Sequence, residues 1–176
     1  EPVSTIYDAY DAGGGKYYIN HWLVTPLYSY SSSGLGWDSE SMAPWTGSYS
    51  RLEVSSGQVM PYDGFSIVSG SGTYTQNTWK EADNNNGYQM NIDTLVGGAT
   101  YQYMWFYAVI LFNGSDDTAT MYLGSDDEAV CYINGELAGS YGSPRGYGET
   151  TFTVSLLGNN QNNYILFGVH EDSGAY

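Results

Sequence analysis

The feature that most constrains this chain is the pair Asn134-Gly135, set between apolar runs at 129–133 and 136–138. A two-residue connection of this type favours a type I′ turn, because both residues tolerate positive φ and their twist matches two antiparallel strands. Just upstream, Ala119, Met121 and Leu123 alternate with Thr120 and Tyr122. That period of two is the mark of a strand with one face buried. Gly124-Ser125-Asp126-Asp127 then interrupts the alternation with turn-forming residues. Residues 119–138 therefore predict three antiparallel strands, and the rest of the chain must supply sheets that complete them.

It does so repeatedly. Residues 101–112, YQYMWFYAVILF, form the most apolar run, and their aromatic and β-branched content predicts a central strand buried on both faces. Residues 17–27 predict a strand ended by Pro26, with Trp22 and Val24 on one core-facing side. Phe152, Val154 and Leu156 alternate as another strand, and 164–169 form the last clear one. Shorter apolar pieces occur at Leu52/Val54, at Phe65/Ile67 and over 91–95, while 28–36 and 140–148 read as loops, 70–86 is polar and 83–87 is a turn-rich loop. The tetrapeptide GSDD occurs at 114–117 and 124–127, which suggests equivalent turns at one end of a sandwich. Residues 1–15 read as a tail or edge strand on a Gly13-Gly14-Gly15 hinge, and 16–176 as a single domain. About eight to ten short strands with almost no helical periodicity predict an all-β fold, an antiparallel β-sandwich of jelly-roll type.

Charge narrows the function. The 19 acidic residues face four basic ones, a net charge of −15. Phosphate recognition needs clustered Lys and Arg, so neither nucleic acid nor an anionic membrane is an expected partner. No run of 18 apolar residues exists, so membrane insertion is not expected either. The lone Cys131 has no disulfide partner within the chain and reads as a small core residue. High Tyr and Gly content and scarce Lys suggest a secreted or cell-surface protein, with Glu1-Pro2 as a mature N-terminus after leader removal.

Signatures of catalysis do not assemble. There is no G-x-S-x-G elbow and no H-E-x-x-H pair. His21 and His170 fall on the first and last main strands, where they could meet in space, yet two histidines without a cysteine cluster make a weak zinc site. A glycosidase needs two carboxylates across a cleft, and no pair among the acids stands out. The chain is therefore read as a non-enzyme.

The segment GSDDEAVCYINGEL resembles the hairpin of extracellular galactose-binding-like β-sandwiches, including the protective-antigen type found in glycosidase accessory domains and fungal adhesins. The early stretch INHWLVTPL, Trp79-Lys80-Glu81 and the closing 153–169 region resemble family positions in the same order. Glu128 departs from the glycine usual after the Asp pair. The resemblance implies an extracellular binding module, and in the adhesin relatives the matching Asp pair holds a calcium that touches sugar hydroxyls. By that resemblance Asp126 and Asp127 are candidate calcium ligands; the other reading makes them structural, capping the turn through backbone N–H groups.

Sugar recognition needs aromatic faces for the C–H side of pyranose rings and polar groups for hydroxyls. Trp37, Trp45, Tyr49, Tyr141 and Tyr147 lie in polar surroundings and are the candidate carbohydrate-binding residues. The first three read equally well as a lid folded back on the sandwich. Two functions follow as expectations. One is a non-catalytic module binding a polysaccharide or glycan, with calcium assistance. The other is a secreted structural subunit that associates with copies of itself by strand donation, building a filament, sheath or surface layer.

Overall fold

A computed structural model describes residues 9–11, 17–19, 21–24, 28–29, 66–67, 77–78, 80–83, 102–112, 117–143, 146–159 and 161–171. Among them every regular element is a strand. Seven short ones come first: β1 (Ala9–Asp11), β2 (Tyr17–Ile19), β3 (His21–Val24), β4 (Tyr28–Ser29), β5 (Ser66–Ile67), β6 (Asn77–Thr78) and β7 (Lys80–Asp83). Six longer ones follow: β8 (Gln102–Phe112), β9 (Asp117–Ser125), β10 (Glu128–Ile133), β11 (Glu136–Tyr141), β12 (Gly148–Leu156) and β13 (Gln161–Glu171).

The last six strands are wound as one long hairpin around the Asn134-Gly135 turn. β10 pairs with β11, β9 with β12 and β8 with β13, all antiparallel and nested one inside the next. The hairpin then rolls over, so that β10 also pairs with β13 and the β9–β12 ribbon leaves the plane. The product is an antiparallel β-sandwich of jelly-roll type. One layer is a seven-stranded sheet in the order β11-β10-β13-β8-β3-β7, with β4 pairing to β8; the other is the β12-β9 ribbon. Asn134 (φ 52°) and Gly135 (φ 85°) take the positive φ that the turn requires.

Alternation decides which side chains lie between the layers. Leu123 and Val154 from the ribbon meet Ala129, Cys131, Ile133 and Ile165 from the large sheet, with Ala119, Met121, Phe152 and Leu156 packed around them. A neighbouring cluster joins Val24, Met104, Phe106 and Val169. Trp22, Phe106 and Phe167 form an aromatic triangle beside it, with centroids 5.6–6.2 Å apart. Burying one such side chain stabilises by about 1.5–3 kcal/mol. Two glycines permit close approach. A Cβ on Gly139 would sit 2.1 Å from the Phe152 ring, and one on Gly168 would sit 3.0 Å from the Trp105 ring.

A polar clip ties two turns together. Asn163 is fully buried; its Oδ1 accepts from Asn134 Nδ2 (3.0 Å) and from the Leu157 N–H (2.8 Å), while its Nδ2 donates to the Leu157 carbonyl (2.9 Å). Asn134 Oδ1 in turn accepts the Tyr164 N–H at 2.9 Å. Both amides are thus engaged on both sides, which removes the cost of burying them.

Several expectations are corrected. The strand over 17–27 divides, because β2 pairs with β1 whereas β3 pairs with β7 and β8. The indole N–H of Trp22 donates to the Ile19 carbonyl at 2.9 Å across that division. The polar stretch 70–86 holds β6 and β7, and β7, which runs into the predicted 83–87 loop at Asp83, finds a ladder on β3. Asp117 and Ser125 are opposite ends of β9, roughly 27 Å apart at strand rise. Asp117, which closes the first GSDD, and Ser125, within the second, therefore stand at opposite ends of the ribbon. His21 and His170 do not meet: His170 pairs with Tyr103, while the β3 register carries His21 to the level of Val109, roughly 20 Å along β8. Among the described residues, no helix is long and apolar enough to cross a membrane.

Candidate functional site

The ribbon has an inner face in the core and an outer face toward solvent. Register sets the composition of the outer face: Thr118 opposite Ser155, Thr120 opposite Thr153, Tyr122 opposite Thr151, and Gly124 opposite Glu149. All of these except Gly124 are exposed, and Tyr122 keeps 46% of its surface accessible. Tyr147 arrives from the bend before β12 and lies over Gly124: a Cβ there would be 2.7 Å from its Oη and 3.1 Å from two ring carbons. It remains 47% exposed. Tyr122 and Gly124 are alternate residues on one strand face, about 7 Å apart. The two tyrosines therefore stand in succession along the ribbon.

The result is a strip roughly 20 Å long from residue 118 to residue 124. Two aromatic rings and the Glu149 carboxylate occupy one end, and the hydroxyls of Thr118, Thr120, Thr151, Thr153 and Ser155 occupy the rest. Large aromatics on a solvent-facing sheet forgo the stabilisation that burial would bring. Exposed aromatic surface of this kind can stack on a ring-shaped partner, and hydroxyls both donate and accept.

Beside the tyrosine end the chain turns from β9 into β10. Ser125, which pairs with Gly148, is buried, as is Asp127. Ser125 Oγ donates to the Asp127 carbonyl at 3.0 Å, and the Asp127 N–H donates to the His170 carbonyl at 3.3 Å. His170 is buried with its Nδ1 2.9 Å from Glu128 Oε2. The Asp126-Asp127 pair thus forms the corner between β9 and β10, at the end of the ribbon where Ser125 pairs with Gly148. Among the described residues no group of three His, Cys, Asp or Glu side chains is arranged to hold a metal ion.

Of the five aromatics nominated from sequence, Tyr147 is on the strip. Tyr141 is not a loop residue: β11 continues through Ser140 to Tyr141, which pairs with Ala129 in the large sheet and is half-buried. Trp37, Trp45 and Tyr49 lie outside the described residues. Tyr122 and Glu149 were missed. Alternation alone puts Tyr122 outward, but its pairing with Thr151 depends on a register set 29 residues later in the chain. Burial pushes the Cys131 thiol up to about 12, and its Sγ sits 3.6 Å from Met121 Sδ, as expected of an inert core cysteine.

Fold and face together define an all-β jelly-roll sandwich with one open, aromatic, hydroxyl-rich ribbon. Among solved structures, the chain is similar to the Faecalibacterium prausnitzii β-glucuronidase at 10% identity and a TM-score of 0.47, over 85% of this chain and 20% of that one. The chain thus spans about one fifth of that protein's length. No protein-family model matches the chain, and no curated protein matches it.

Proposed function

We propose that this protein is a non-catalytic carbohydrate-binding module, and that a polysaccharide lies along the outer face of the β9–β12 ribbon. The observation that carries the reading is the succession of Tyr122 and Tyr147, both exposed, on a strip otherwise made of hydroxyls. Pyranose rings offer an apolar C–H face to each tyrosine, and their hydroxyls match those of the threonines. The resemblance of the 124–137 hairpin to extracellular binding modules supports the same class and a secreted location.

Affinity electrophoresis through gels containing soluble neutral polysaccharides tests it. Tyr122→Ala and Tyr147→Ala should each weaken retardation about tenfold, the scale of one lost stacking contact. Chelator should leave the wild-type retardation unchanged, since neither ring works through a metal. Equal retardation of wild type and both variants would contradict the reading.

One observation favours the second reading, association of copies. Among the described residues β11 is an edge of the large sheet, and its Leu137 is 60% exposed. Edge strands are templates for pairing with another chain. Light scattering separates the two: a monomer across the working concentration range excludes assembly through this edge.

A further inference from the structure

We infer that the tyrosine end of the strip recognises a protonated amino sugar, so that the polymer taken is a cationic glucosamine-type polysaccharide rather than an acidic one; this rests on the binding face proposed above. Glu149 stands opposite Gly124, the residue over which Tyr147 lies, and Tyr122 is the next outward residue on β9. Adjacent strands are about 4.8 Å apart, so the Glu149 carboxylate and both rings belong to neighbouring positions around the same space above the ribbon. An ammonium in that space faces tyrosine π-clouds and a carboxylate together, and both attract it. The net charge of −15 adds a field that repels acidic polymers and draws cationic ones.

A cation preference arising only from that overall field would be diffuse, whereas this one is local to Glu149. The distinction sets the experiment. Isothermal titration calorimetry compares a fully deacetylated glucosamine oligomer, with its amines protonated, against the N-acetylated oligomer of equal length. Ring and linkage are the same, and acetylation removes the charge. Wild type should bind the deacetylated oligomer about fivefold tighter. Glu149→Gln should abolish that preference by weakening the deacetylated oligomer at least about fivefold more than the acetylated one. Glu136→Gln changes the net charge equally but lies exposed on β11 in the other layer, and should keep the preference.

Equal wild-type affinity for the two oligomers, or equal loss of preference in both variants, overturns the inference. In either case, acetylated-oligomer binding that falls on Tyr147→Ala would still uphold the binding face. Absence of binding by either oligomer, or acetylated-oligomer binding indifferent to Tyr147→Ala, removes the face and the inference together.

Discussion

The two layers of this sandwich follow the same alternation and reach opposite ends. In β8, every residue from Tyr103 to Val109 is buried, so both faces of the large sheet's centre are closed. In β9 and β12, only the inward residues are covered, and the outward row runs Thr, Thr, Tyr on one strand and Glu, Thr, Thr, Ser on the other. Aromatics occur in both places. Trp105 lies against Gly168 with no exposed surface, whereas Tyr147 lies against Gly124 with nearly half of its surface exposed. The same device, a ring laid over a glycine, closes a core in one layer and builds a platform in the other. The difference locates stability in the β8–β13 layer and leaves the ribbon's outer face open for the recognition proposed above.

The widest separation between the layers should appear in large-to-small substitutions. Trp105→Ala is expected to cost about 4 kcal/mol, read from urea denaturation followed by circular dichroism. A cost below about 1 kcal/mol would mean that the centre of the large sheet is not the core described above. Next comes the amide clip. Asn163→Ala strips partners from the Leu157 N–H and the Asn134 amide, and should cost about 2–3 kcal/mol. Asn163→Asp should be costly too, because the Leu157 carbonyl then loses its donor.

Cys131 gives a pH handle on the interface between the layers. Its folded pKa, about 12, lies above the unfolded value near 9, so the native state retains a proton that the unfolded chain releases. Its contribution is fully present below pH ~9 and is lost as pH rises toward 12, at up to about 1.4 kcal/mol per pH unit. The alkaline loss of stability should be shallower in Cys131→Ala, and wild-type Cys131 should resist thiol reagents until the chain unfolds. The smallest expected effect is on the ribbon. Tyr122→Ala should change stability by less than about 0.5 kcal/mol, since the side chain is largely outside the core. A loss comparable to that at Trp105 would make Tyr122 a packing residue.

Much of the architecture was legible in the chain, for local reasons. The Asn134-Gly135 turn, the alternation in β9 and β12 and the two-sided apolar run of β8 are each decided within a few residues. What escaped depends on distant partners. Glu136-Leu137-Ala138 reads as a short return strand because Gly139 and Ser140 have low strand propensity. Pairing with β10 carries the strand on to Tyr141 and removes that residue from the candidate loop aromatics. Asn163 sits in a polar run, NNQNN, just ahead of the strand predicted over 164–169. Only the meeting of two turns in space shows it to be buried and fully bonded. Tyr122 and Tyr147 become neighbours because the ladder sets Gly148 against Ser125, a relation no local pattern contains. Trp37, Trp45 and Tyr49, the aromatics most conspicuous in sequence, fall outside the described residues, and the strip stands without them.

Hydroxyl-radical footprinting, with and without a saturating polysaccharide, tests the central claim most directly, because it reports where the ligand sits rather than whether it binds. Binding along the ribbon should lower the oxidation of Tyr122 and Tyr147 together, and leave exposed Leu137 on the other layer unchanged. Protection of Leu137 or of other regions, with Tyr122 and Tyr147 oxidised as in the free protein, would contradict it.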